Sequence, residues 1–274
     1  MTTVSPRRRL VARAVAILVT LLVAASGAAP AASAISGDDA STRRLLLLLD
    51  ASGSMKGPDP SGGSKLDAAK RSLNAVLDAL PNGTQVGLRV YGATVGGSST
   101  SPEACADTQL VASIAPLGRA ALKSAIAGFD ALGATPIAGS VRQAVGDLGS
   151  TGNRTLILVS DGEETCVPDP CPEVSSAVGA GVDLQVDTVG FGVNPTARRQ
   201  LQCIAEAGHG SYFDAADGSQ LQASLTKLSQ RSLRGFTASG KRVTGSTDGQ
   251  AAPVLTPGTY LDTTELAAAK KYYA

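Results

Sequence analysis

Leu45–Leu49 is apolar at every position and runs straight into Asp50; Thr155–Ser160, with Leu156–Val159 at its centre, runs into Asp161. Runs of this length between turn residues fit strands buried on both faces. Leucine favours helix, so propensity alone does not choose. The turn Ala51-Ser52-Gly53-Ser54 decides for a strand. From Lys65 the period changes: Leu66, Ala69, Leu73, Val76 and Leu77 follow helical spacing until Pro81. Val86–Tyr91 alternates as a strand, Gly92–Ala106 reads as a Gly/Ser-rich loop, and Thr108–Ser113 is a weak strand. Leu122, Ile126 and Phe129 mark a short helix. Thr135 and Pro136 then read as the cap and first residue of another, with Ile137, Val141, Ala144, Val145 and Leu148 on one face. After Asp161 the pattern predicts a helix following Pro172, a strand over Val182–Val189, a helix over Pro195–Ala207 and a short strand over Gly210–Phe213. Asp217 and Gln220 have capping-box spacing for a last helix carrying Leu221, Leu225 and Leu228.

Alternation of this kind over residues 44–232 predicts an α/β domain with a doubly wound, mainly parallel sheet and helices on both faces. Such sheets bind ligands beyond the carboxyl ends of their strands, where the strand order switches. That rule singles out the turns after Leu49 and Ser160. Residues 1–34 carry Arg7, Arg8, Arg9 and Arg13, an apolar run from Leu10 to Val23 and the small residues Ala32-Ser33-Ala34, the layout of a cleaved signal peptide. Residues 35–43 read as a linker. Residues 233–274 read either as an irregular tail or as a linker leading into an incomplete β-rich unit.

Composition narrows the picture. Hydrophobic residues are 43% of the chain but aromatics only 3%, and Trp is absent, so the core must be built from Leu, Val, Ile and Ala. The four arginines are the only charges in the first 34 residues, so removing that leader takes the formal charge from +1 to −3. Nothing in that balance suggests nucleic acid, and no later segment is apolar enough for a membrane span. Cys105, Cys166, Cys171 and Cys203 form an even set in a chain expected to be secreted or held in the cell envelope, which predicts two disulfides with three pairings open. Cys166 and Cys171 are the one close pair, which is poor spacing for structural zinc.

The turn Asp50-Ala51-Ser52-Gly53-Ser54 gathers one carboxylate and two hydroxyls, all hard oxygen donors of the kind Mg²⁺ takes. Sulfur and imidazole are missing from it, which argues against zinc and copper. This D-x-S-x-S turn resembles the first segment of the metal-ion-dependent adhesion site of von Willebrand factor type A domains. Thr135 and Asp161 stand where that family has its metal-site threonine and second aspartate. The resemblance spans about residues 45–231. It implies an ion, Mg²⁺ with Mn²⁺ or Ca²⁺ as alternatives, bound by Ser52, Ser54 and Thr135, with Asp50 and Asp161 acting directly or through water. It also implies a protein partner that offers a Glu or Asp carboxylate to the ion. The loops 57–63, 92–106 and 163–172 are expected around this face. The favoured pairing is Cys105–Cys166 with Cys171–Cys203, and a local Cys166–Cys171 loop is its close rival. Glu163 and Glu164 read either as acids that tune the site or, the favoured reading, as part of a solvated turn.

The expectation is therefore a binding or adhesion module without catalysis. His209 is the single histidine, so an HExxH zinc site fails, and no P-loop sequence is present for a nucleotide. The alternatives are a metal-assisted hydrolase, with Glu163 or Glu164 as base, or a structural envelope protein whose metal site is idle.

Overall fold

The computed structural model describes residues 43–97, 100–179 and 184–232. Six strands form one sheet in the order β3-β2-β1-β4-β5-β6. They are β1 (Arg44–Asp50), β2 (Gln85–Tyr91), β3 (Thr108–Pro116), β4 (Arg154–Ser160), β5 (Leu184–Phe191) and β6 (His209–Ala215). All neighbours are parallel except β3, which runs antiparallel to β2 along one edge. The expected doubly wound α/β architecture is what forms.

The five consecutive leucines of β1 are explained by its place in the middle of this sheet. Side chains alternate between the two faces of a strand. Leu45, Leu47 and Leu49 enter a core with Leu73, Leu77 and Leu225, while Leu46 and Leu48 enter a second core with Val141, Val174 and Leu201. Helices α1 (Lys65–Ala79) and α7 (Gly218–Ser232) supply the first layer; α4 (Ile137–Leu148), α5 (Pro170–Val178) and α6 (Pro195–Ala207) supply the second. Burying one leucine contributes roughly 1.5–3 kcal/mol. A Leu47→Ala change, which also leaves a cavity, would cost about 2–5 kcal/mol.

Helix α1 starts cleanly. The Ser64 hydroxyl accepts the Asp67 N–H at 3.1 Å, and the Asp67 carboxylate accepts the Ser64 N–H at 3.3 Å, a complete capping box. Leu80 and Pro81 close it. A short α2 (Pro102–Cys105) interrupts the region read as loop, and α3 (Arg119–Ala127) follows β3.

Several boundaries differ from the sequence reading. Helix α4 begins at Ile137 with Pro136 in the cap position, and the Thr135 side chain makes no capping bond. Proline's fixed φ suits a helix start, but here it precedes the first helical residue. Helix α5 begins at Pro170, two residues before Pro172, because Asp169 accepts the Cys171 N–H at 3.0 Å and caps it. The fifth strand runs on to Phe191, and Val182 lies outside the described residues. At α7 the Asp217 carboxylate caps as expected, accepting the Ser219 and Gln220 N–H groups, whereas Gln220 reaches back to the Ala216 N–H instead of that of Asp217. The expected leader, nearly all of the 35–43 linker and the 233–274 tail lie outside the described residues. Among the described residues no helix is long and apolar enough to cross a membrane.

Candidate metal centre

β1 and β4 are parallel neighbours with Leu49 opposite Val159. Their carboxyl ends therefore deliver Asp50 and Asp161 to the same spot. The chain leaves β1 toward β2 on one side and leaves β4 toward β5 on the other, so this spot is the switch point of the sheet. Asp50 is fully buried, and both its oxygens are engaged: Oδ1 accepts the Ser52 N–H and Oδ2 accepts the Ser160 hydroxyl, each at 2.7 Å.

The third segment is laced to the first by backbone bonds. The Gly53 N–H donates to the Gly133 carbonyl at 2.9 Å, and the Leu132 N–H donates to the Ala51 carbonyl at 2.9 Å. Such close backbone approach excludes a side chain. A Cβ on Gly133 would lie 2.0 Å from the Val95 carbonyl oxygen; one on Gly92, at φ +68°, would lie 2.4 Å from that of Ala134. Asp107 holds the neighbouring loop by accepting the Thr94 and Val95 N–H groups at 2.8 and 2.9 Å.

The oxygens converge on this scaffold. Ser52 Oγ and Ser54 Oγ are 3.0 Å apart, and Ser54 donates to Asp161 Oδ1 at 2.5 Å. Gly162 marks where Thr135 joins them: a Cβ built there would be 3.6 Å from Ser54 Oγ and 3.7 Å from Thr135 Oγ1. Ser54 is exposed, so the cluster opens to solvent there. All five residues singled out from the sequence, Asp50, Ser52, Ser54, Thr135 and Asp161, thus lie together at one end of the sheet. Burial, and next the Asp161 charge, push the Asp50 carboxyl up from 3.8 to about 6. Two carboxylates and three hydroxyls beside one another fit a small hard cation, which would relieve that repulsion. Among the described residues no group of three or more His, Cys, Asp or Glu forms a metal cluster, so a cation here would depend on the hydroxyls.

The contacts of three neighbours escaped the sequence reading, and a fourth residue was misplaced by it. Ser160 ends β4, as read, and its hydroxyl also orients Asp50, a contact the sequence reading missed. Tyr91 faces Asp50 across the β1–β2 register, and its buried hydroxyl is pushed well above its ordinary value by burial and then by the Asp50 charge. Lys65 reaches from the start of α1 to Asp161 Oδ2 at 2.9 Å. Glu164 is the fourth, and it overturns the expectation of a solvated turn. It is buried, with Oε2 accepting the Ala138 N–H and Oε1 the Cys166 N–H, both at 2.7 Å. The first of these satisfies an orphan donor at the start of α4. Thr165 completes the clamp: its hydroxyl accepts the Thr135 N–H at 2.9 Å and its N–H donates to the Thr135 carbonyl at 3.2 Å. Helix position had suggested Thr135 as a cap; the clamp provides the capping from outside and leaves its hydroxyl for the cluster.

Both disulfides form, Cys105–Cys166 and Cys171–Cys203, with Cα–Cα distances of 5.5 and 5.8 Å. The first ties the end of α2 to the clamp loop. The second joins α5 to α6 and lies within that helical layer.

The fold is that of a von Willebrand factor type A domain. The von Willebrand factor type A domain family matches residues 43–214, most of the chain, and the chain belongs to this family. Two Bacillus subtilis proteins are similar to it. YwmD is 29% identical over 188 residues, covering 67% of this chain and 83% of that protein; YwmC is 29% identical over 186 residues, covering 66% and 80%. Among solved structures, a von Willebrand factor type A protein from Catenulispora acidiphila superposes with a TM-score of 0.56 at 24% identity, and the match covers 71% of this chain but only 43% of that one. The pilus adhesin SpaC of Lactobacillus rhamnosus GG shares the fold at a TM-score of 0.56 and 15% identity, over 70% of this chain and 30% of SpaC. The PilB minor pilin of Streptococcus sanguinis does so at 0.54 and 15%, over 70% of this chain and 61% of PilB.

Proposed function

We propose that this chain is an exported binding module that holds a divalent cation, Mg²⁺ with Mn²⁺ or Ca²⁺ as alternatives, and uses it to engage a Glu or Asp carboxylate of a protein partner. The observation that carries this reading is the meeting of Ser52, Ser54, Thr135, Asp50 and Asp161 from three distant segments at the switch point of the sheet. Ser52, Ser54 and Thr135 would hold the ion through neutral hydroxyls, with Asp50 and Asp161 balancing its charge directly or through water. When bound, such an ion supplies a Lewis-acidic position at which an anionic oxygen can complete the coordination. The exposed Ser54 gives a partner its way in. Two disulfides and the likeness to a pilus adhesin and a minor pilin support an extracytoplasmic setting.

Binding is favoured over hydrolysis by the occupation of the available bases. Glu164 has both oxygens committed to backbone N–H groups, and Glu163 Oε1 accepts from Asn194 at 2.8 Å. His209 opens β6 beside Val186, near the amino ends of the parallel strands and away from Asp50. A general base must reach the proton it abstracts, and neither Glu164 nor His209 is disposed to do so.

Calorimetric titration of the full chain with Mn²⁺ and Mg²⁺ tests the proposal. Saturable one-site uptake, abolished by Asp161→Ala and by Ser54→Ala with Ser52→Ala, is expected. Absence of uptake by the folded wild type would remove it.

A further inference from the structure

Lys65 places a positive charge inside the cluster that the cation reading fills with a metal. Its Nζ lies 2.9 Å from Asp161 Oδ2, while Ser54 occupies Oδ1. The Asp161 side chain is wholly buried and that of Lys65 is only 19% exposed, so solvent and salt screen the pair weakly. The position of Lys65 is fixed from both ends. Its backbone N–H donates to the Gly57 carbonyl at 2.9 Å, just after the capping box that starts α1. Its ammonium lies 6.0 Å from the centre of the Phe191 ring. A Cβ on Gly192 would sit 3.4 Å from both Cε and Nζ, so the glycine leaves the slot that the lysine fills.

We infer that Lys65 is a tethered counter-ion of this centre, competing with a divalent cation for Asp161 and so lowering the affinity with which that cation is held. The inference rests on the metal-binding reading above. With Asp50 and Asp161 ionised, the lysine reduces the local charge from −2 to −1. A divalent cation then meets one neutralised carboxylate and a like charge nearby. Once it is bound the cluster carries +1 in place of zero, which favours an incoming carboxylate. The lysine thus weakens uptake of the metal and strengthens the attraction for the partner's anion. A protein that needs both components before it grips gains selectivity from this exchange.

The test is Mn²⁺ titration of the full chain by calorimetry, comparing wild type with Lys65→Met and Lys65→Arg, each checked for a single cooperative thermal transition. Lys65→Met removes the charge at nearly constant volume and should bind Mn²⁺ about tenfold tighter or more. Lys65→Arg keeps the charge and should stay within about threefold of wild type. Equal or weaker binding by Lys65→Met overturns the inference, as does an equal gain in Lys65→Arg, which would assign the effect to packing. Failure of all three proteins to take up Mn²⁺ would instead overturn the metal-binding reading and this inference with it. Uptake by Lys65→Met alone would support the lysine as a counter-ion that excludes the cation, and would remove the metal-binding reading for the native chain.

Discussion

Ser54 donates its hydroxyl proton to Asp161 Oδ1 at 2.5 Å, across 107 positions of sequence. One partner sits on the turn after β1 and the other just past the end of β4. The bond depends on the two central strands lying side by side in register. It is also the bond that a cation would replace, since both oxygens lie where such an ion would be held. Ser54→Ala should therefore lower metal affinity at least about tenfold while costing the metal-free protein only about 1 kcal/mol, the worth of one part-buried hydrogen bond at an exposed residue. Mn²⁺ calorimetry and chemical unfolding read the two effects separately.

Asp50 is held against its own electrostatic preference. Its carboxyl is pushed up from 3.8 to about 6, so the folded protein binds its proton more tightly than the unfolded chain does. The sign follows: its contribution to stability falls as pH rises from about 4 to 6 and stays low above that. Asp50→Asn removes the penalty and keeps one acceptor for the Ser52 N–H. The metal-free variant should be more stable than wild type at pH 7 by about 1–3 kcal/mol, with the gain shrinking below pH ~5. Its thermal transition should no longer respond to Mn²⁺. Denaturant titrations at pH 4.5 and 7 check both statements.

The glycines at the backbone crossing give a sharper test of the scaffold. Gly133→Ala must place a Cβ 2.0 Å from the Val95 carbonyl oxygen, which forces the 92–95 and 132–135 loops apart. A loss of more than about 2 kcal/mol is expected, together with loss of metal uptake. Gly96→Ala is the control, since a Cβ there meets nothing within 4 Å, and it should be within about 0.5 kcal/mol of wild type.

Removal of the Glu164 carboxylate reports on the clamp. Glu164→Ala leaves the Ala138 and Cys166 N–H groups without their acceptor and should cost about 2–4 kcal/mol. Thr165→Val strips the acceptor from the Thr135 N–H and should weaken Mn²⁺ binding through the position of Thr135, with a smaller loss of stability, about 1 kcal/mol. Calorimetry and urea unfolding of both variants check the order of the effects.

The two disulfides should separate stability from binding. By chain-entropy accounting, loops of 61 and 32 residues are each worth about 4 kcal/mol. Replacing Cys171 and Cys203 by Ser should lower the melting temperature but leave Mn²⁺ affinity within about threefold, because that bond lies in the α5–α6 layer. Replacing Cys105 and Cys166 should lower both, because Cys166 belongs to the loop that holds Thr135.

Much of this architecture was legible in the order of residues. Five leucines before a Gly/Ser turn fit a strand buried on both faces, and the strand–helix alternation argues for a mainly parallel sheet. Asp50 at the end of β1 and Asp161 just past the end of β4 followed from the same reading, because a run buried on both faces must end where polar groups begin. What the pattern hid were contacts between side chains and distant backbone. Glu164 looks like one of two solvated acids, and only the approach of the α4 start makes it a buried acceptor. Lys65 reads as the first residue of a helix, and its reach to Asp161 depends on how α1 is pitched against the sheet. Thr135-Pro136 has the composition of a helix cap, yet the acceptor for the Ala138 N–H is Glu164, 26 residues beyond Ala138. Local sequence statistics carry no information about such partners.

The backbone bonds between Ala51 and Leu132, and between Gly53 and Gly133, join the Asp50 and Thr135 turns into one plate, to which Thr165 bolts the turn after Asp161. The loops are thus assembled by amide and carbonyl groups rather than by whatever ion they hold. Little reorganisation entropy would be left for a cation to overcome on binding. A cation held there would load and unload at the speed of ligand exchange on the ion, with the surrounding chain as a passive frame.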